Sequence, residues 1–380
     1  MRILATVIGF AALGLLGCSG DGTNPLNSSP TLRGNERNAA TPPTAPVAAM
    51  LTSQPLTSEP KGVAIWGNRN DPARSLVFVS QGDAGTGAIA ALDLAGKVAH
   101  RTEDLHAPTA LDVQHDFKLG DALVDILVVA EPEKHRVRIL KIDAETGKLA
   151  DISGRNQVFV GKEETTQGVT GLGLYRRKDG AVFAVLNPAD GPEVNRIAQY
   201  ELTANAEGKV DLALVRTFGK APVGDATPTH DSVAIDDELG FIFVAEPGGI
   251  RKFHADPDAK AANTEMAFFA TSGFTAPRGG LSVFPTDPKH GFVLSGESTP
   301  QSVIHAFPRE GSKANGHEHA SVATIPSAAK LGTSLDSTAL PLGTQFPNGL
   351  VAIVSRENKT LSLFDWGQIA QRGNLNASAR

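Results

Sequence analysis

Cysteine is nearly absent from this chain of 380 residues: the only one is Cys18. No disulfide can form within the chain, so the fold must rest on core packing and sheet closure. Aromatic residues make up 6%, with Trp only at 66 and 366, which argues against a sugar site walled by stacked rings. There is no Lys/Arg-rich run and the net charge is −6, so nothing in the charge pattern calls for nucleic acid. No amphipathic helix longer than a turn or two is readable. Gly-x-Ser-x-Gly, Walker A and His-Glu-x-x-His patterns are missing. The Gly-rich stretch Gln81–Gly87 joins two strand-like runs and reads as a hairpin connection, not a phosphate loop. The rest is an ordinary soluble composition, 41% hydrophobic and 20% charged, large enough for a substantial core.

What the chain does have is a repeat. An apolar run recurs six times, with matching positions Val79, Val129, Val185, Val244, Leu294 and Ile353, at intervals of 50, 56, 59, 50 and 59 residues. A weaker run rich in Gly, Ala, Ser and Thr precedes each one, starting near Gly62, Thr109, Val169, Asp231, Gly279 and Ser337. An alternating run follows, as in Ala88–Leu94, Val137–Ile142 and Leu361–Phe364. A period of this length built from short strands is the signature of a β-propeller blade. The expectation is an all-β, six-bladed β-propeller with small residues on the strand nearest the axis and a site at one mouth of the channel.

The ends of the chain read differently. Arg2, the apolar stretch Ile3–Leu16 and Leu15-Leu-Gly-Cys18 resemble a bacterial lipoprotein signal, with Cys18 the lipid attachment site. Ser19 after that cysteine resembles a signal for the outer membrane. Residues 1–18 are thus expected to be a signal peptide. A Pro/Ser/Thr-rich segment, 19–57, is expected to be a disordered tether, and 58–372 the propeller. The expected setting is extracytoplasmic and lipid-anchored, with membrane contact through the lipid alone and the chain a monomer.

Several short segments narrow the family. Ala64-Ile-Trp66, Gly171-Leu-Gly-Leu-Tyr175, Gln199-Tyr-Glu-Leu202, Ala234-Ile-Asp-Asp-Glu-Leu-Gly240, Val244-Ala-Glu246, Ile250-Arg-Lys-Phe253, Pro347-Asn-Gly-Leu350 and Asp365-Trp-Gly-Gln-Ile-Ala370 occur in one order. In that order and spacing they resemble the β-propeller phytases, over about 58–370. The resemblance implies a six-bladed propeller, Ca²⁺ held by mouth carboxylates, and water attack on the phosphate esters of a small polyanion.

Against that pattern the mouth positions are uneven. Lys61-Gly62 stands where the family has two aspartates, Gln114 where it has a phosphate-binding Arg, and Arg278-Gly279-Gly280 where it has Asp-Ile-Glu-Gly. His230-Asp231 keeps a shorter carboxylate, Glu246 is retained, and Glu297 and Asp336 approximate other polar positions. The resemblance therefore implies Asp231, Glu246 and Asp336 as catalytic groups. It implies Glu246, Asp231 and Glu297 as metal ligands for fewer Ca²⁺ ions than the family holds, and Lys61 and Arg278 as phosphate-binding cations. Two functional readings follow: a phytase-like phosphomonoester hydrolase, or a catalytically impaired propeller serving as a binding or scaffold lipoprotein. Other polar clusters have plainer readings. Asp236-Asp-Glu238 reads as a supporting hairpin, Asp112 as a hydrogen-bonded structural acid, and His317-Glu-His319 as an exposed loop.

Overall fold

A computed structural model describes residues 45–82, 85–159, 169–222 and 233–376. The repeat folds as six antiparallel four-stranded sheets, making a six-bladed β-propeller. The innermost strands are Pro60–Trp66, Leu111–Leu119, Val169–Arg176, Val233–Asp236, Arg278–Pro285 and Gly332–Thr338. The second strands, Leu76–Gln81, Ala122–Glu131, Val182–Pro188, Phe241–Glu246, Gly291–Glu297 and Leu350–Ser355, carry the strongly apolar run. They read as continuous rather than alternating because neighbouring blades cover both faces; Leu76–Gln81 and Leu350–Ser355 are buried throughout.

The third strands are Gly87–Asp93, Arg136–Ile142, Val194–Ala204, Gly249–His254, Val303–Pro308 and Thr360–Asp365. A fourth strand, not separable from turns in the sequence, completes each blade. Its weak signal has a physical cause, since an outer edge packs on one side only. In Val98–Leu105, for example, only Leu105 is buried. The inner strand of blade 6 also starts earlier than expected. It ends at Thr338, and Leu335 is the residue opposite Ile353.

Each of the six apolar clusters among the described residues fills one junction between consecutive blades. At the junction of blades 6 and 1, Val63, Ile65, Val77 and Val79 meet Leu350, Ala352 and Val354. At the junction of blades 5 and 6, Phe284 stacks on Trp366, the first residue of the short helix Trp366–Gly373, with ring centroids 3.9 Å apart. Blade 6 is completed by Leu51–Thr52 from the N-terminal side, with Leu51 opposite Leu363. Val47 bridges to Ser327 of blade 5, and Val47 and Leu56 are buried. The expected tether to residue 57 is therefore too long, because residues 45–57 belong to the propeller. Pro and Ser in this segment hid a strand of two residues, too short to leave an alternation.

This closure predicts a sharp boundary for truncation. A chain beginning at residue 45 should match the full chain's melting temperature. One beginning at residue 54 loses Val47, Leu51 and the outermost strand of blade 6. It should lose several kcal/mol, at about 1.5–3 kcal/mol per buried aliphatic side chain. Equal melting temperatures for the two truncations would refute the closure.

Candidate functional site

The innermost strand of a blade has one edge facing the axis, where no further strand can satisfy its N–H groups. Two aspartates at equivalent positions do so. Asp112 of blade 2 accepts from Leu174 N of blade 3 at 2.8 Å and from Val113 N at 2.7 Å. Asp336 of blade 6 accepts from Ile65 N of blade 1 at 2.8 Å, from Ser337 N at 2.7 Å and from Ser282 Oγ at 3.1 Å. Asp237 accepts from Arg176 N at 2.9 Å. All three line a channel cavity of about 270 Å³ together with Gln114, His115 and Ser337. Burial, and for Asp112 the charge of Asp336, pushes the carboxyls of Asp112 and Asp336 up, to about 8 and about 6. Asp112 thus has the structural role expected of it. Asp336, expected at the mouth, instead belongs to the channel.

The mouth is the end of the channel where the inner strands begin. There the tops of the second strands carry acids held by arginine, histidine or backbone donors. Glu246 takes a two-pronged contact from Arg251, with Nε at 2.7 Å and Nη2 at 2.9 Å. Glu131, fully buried, accepts from His106 N at 2.7 Å and from Arg136 Nε at 2.5 Å. Glu297 accepts through Oε1 from Thr275 N, from Thr275 Oγ1 at 2.8 Å and from Ala276 N at 2.8 Å, and its Oε2 meets His305 Nε2 at 2.8 Å. Glu131 and Glu297 therefore pin the connections that cross between blades. Glu131 was overlooked in the sequence although a signal existed: Val129-Ala-Glu-Pro132 repeats as Val244-Ala-Glu-Pro247, each with Arg five residues on.

Arg278 was expected to bind phosphate. It is 5% exposed, and its guanidinium donates to the carbonyls of Glu246 at 2.8 Å, Pro247 at 2.7 Å and Ala270. It also lies 4.1 Å over the Phe274 ring. Arg278 is a bolt between blades 4 and 5, with burial pulling its pKa down. Lys61 lies partly exposed at the rim, with Nζ 2.8 Å from Glu59 Oε1. Asp231 and Cys18 fall outside the described residues.

The expected ligands Glu246 and Glu297 are thus engaged by protein donors. No group of three or more His, Cys, Asp or Glu side chains among the described residues is arranged for a metal ion. These residues do not fit a calcium site as they stand.

The plainer clusters resolve as supports. Asp236 and Glu238 pair with Arg309 of blade 5 at 2.8 and 2.5 Å. In the expected exposed loop, His317 is exposed but His319 is buried, and its Nε2 lies 3.3 Å from Lys252 Nζ. Burial lowers His319 to about 4 and Lys252 to about 8.

Comparison with known proteins adds the following. The family model described as phytase matches residues 33–372. No curated protein matches the chain. Among solved structures, the chain is similar to the α-L-arabinofuranosidase Arb93A of Fusarium graminearum, with 9% identity, a TM-score of 0.53, and coverage of 85% of this chain and 98% of that one. It is also similar to an α-L-arabinanase of Penicillium chrysogenum, with 11% identity, a TM-score of 0.48, and coverage of 84% and 98%. At such identities the first likeness speaks for the fold alone.

The channel acids make stability depend on pH. The folded chain holds protons on Asp112 and Asp336 that an unfolded chain, with carboxyls near 3.8, would release. The stability they contribute is full below about pH 4 and is lost as pH rises through about 6 and then about 8. Both side chains are half-buried, which tempers the effect. Asp112→Asn should reduce the stability lost between about pH 5 and about pH 8 by on the order of 1–3 kcal/mol in urea unfolding. An unchanged pH slope in the variant would rule this out.

Proposed function

Since the chain belongs to the phytase family, we propose that it is a phosphomonoester hydrolase acting on inositol phosphates or a similar small polyanion at the channel mouth. The observation that carries this reading is the family match across residues 33–372, which spans the propeller from its closing strand to its last helix. In the reaction a water oxygen bonds to phosphorus, the ester P–O bond breaks, and the alcohol leaves with a proton. Lys61 at the rim would offset charge on the phosphate oxygens. Asp231, which the family resemblance sets among the catalytic acids, would orient the water.

Phytases of this kind generally depend on calcium. Glu246 and Glu297, bound to Arg251 and His305, leave no ready carboxylate pair for the ion, so no step is assigned to it. We also place the chain outside the cytoplasm, anchored through lipid on Cys18 and acting as a monomer.

Two measurements test these statements. Phosphate release from inositol hexakisphosphate, with and without added Ca²⁺, should be detectable. Lys61→Ala should raise KM about tenfold, the loss of one charge-assisted contact of about 1.4 kcal/mol. Absence of release under both conditions would favour the alternative of a binding propeller. For the anchor, the wild-type chain should sediment with membranes and Cys18→Ser should not. A soluble wild type would refute lipidation.

A further inference from the structure

Lys252 and His319 are buried, at 1% and 4% exposed, and have no part in the proposed hydrolysis. They join two blades. Lys252 sits in the third strand of blade 4, Gly249–His254. His319 sits in the connection 309–322 between the third strand of blade 5, Val303–Pro308, and its fourth, Ala323–Pro326. Third strands start at the mouth, since Val303 lies opposite Glu297, so this connection lies at the other end of the propeller. It reaches over blade 4 and stacks the His319 ring on Phe269, with centroids 4.5 Å apart, and edge-on to Phe243 at 5.9 Å.

The contacts of the ring fix its proton. Nδ1 lies 2.6 Å from the Pro308 carbonyl, which can only accept, so the neutral ring carries its hydrogen there. Nε2 is then a bare acceptor and faces Lys252 Nζ at 3.3 Å. The ammonium also donates to Gly316 O at 2.8 Å and lies 3.8 Å from the centre of the Phe241 ring. A second proton on His319 would set imidazolium against ammonium among three phenylalanine rings. Asp236 and Glu238, nearby, are held by Arg309. Glu310, His254 and His317 complete the charged surroundings.

We propose that the connection 309–322 is an acid-released strap, closed on Lys252 while His319 is neutral and freed from blade 4 when His319 takes a second proton. Burial holds the closed ring down to about 4, with Lys252 and His317 adding to it against the bond to Pro308, whereas a released ring would titrate near 6.5. The closed form therefore binds fewer protons between these values. Closure is full above about pH 6.5 and weakens as pH falls toward about 4. Lys252, lowered to about 8, keeps its charge throughout that range. Asp236 is pushed up by burial, so its titration favours the closed form in acid and cannot cause release. His254 is lowered by burial, with the same sign as His319, so the test isolates His319 by substitution. The proposal is independent of the hydrolase reading.

Hydrogen exchange of the full chain, read by mass spectrometry and corrected for the pH dependence of intrinsic exchange, tests it. The amides of Gly311, Ser312, Glu318 and Val322 are hydrogen-bonded and report on the strap. Their protection should fall roughly ten- to a hundredfold between about pH 7 and about pH 4, while Leu76–Gln81 and Leu350–Ser355 stay protected. His319→Gln keeps an acceptor for Lys252 but takes no proton, so its strap should be equally protected at both pH values. Should the glutamine variant be open at both, Lys252→Met decides. Without the facing ammonium the ring can charge in place, and protection at about pH 4 should exceed the wild type's severalfold. Wild-type protection that is absent at about pH 7 or equal at both pH values overturns the proposal. So does a wild-type pH response in His319→Gln, or no gain at about pH 4 in Lys252→Met.

Discussion

Each blade of this protein buries both faces against its neighbours, so none is stable alone and the ring has to close. Closure here is made by strand pairing instead of a covalent bond. Leu51–Thr52 completes blade 6 beside Thr360–Asp365, and Val47 reaches across to blade 5. With one cysteine in the chain, no disulfide is available to do this. The six junction clusters, the register of the inner strands and the position of the mouth all depend on that non-covalent seam.

Closure has a second consequence at the axis. Six inner strands converge there, and each presents an edge that cannot find another strand. Asp112 and Asp336 answer this from blades 2 and 6 by accepting N–H groups of the following blade. Their cost is a pair of carboxyls held in a narrow channel with raised pKa values. The acids at the mouth serve a related purpose, since Glu131 and Glu297 fasten crossing connections while Arg136 offsets the charge of the first and the His305 ring hydrogen-bonds the second. Carboxylates that look catalytic by position are therefore largely part of the ring's construction.

The repeat was readable because second strands buried on both faces must be apolar throughout, and that constraint recurs once per blade. The fourth strands were not, because an outer edge packs on one side and tolerates polar residues. The closing strand was hidden for a similar reason: two residues of pairing leave no periodicity in a Pro-rich segment. The family resemblance, resting on Ala64-Ile-Trp66, Val244-Ala-Glu246 and Asp365-Trp-Gly, agrees with the family model that matches residues 33–372.

Sequence alone determined the blade count, the small-residue inner strands and the family, since each follows from local patterns that repeat or from short segments in fixed order. Tertiary structure alone decided what each charged residue does. Arg278 and Lys61 both stand where the family has acids. One is buried against three carbonyls and the other is partly exposed at the rim, paired with Glu59. The difference is physical: a charge's role depends on the partners that reach it across blade junctions, and those partners are far away in sequence.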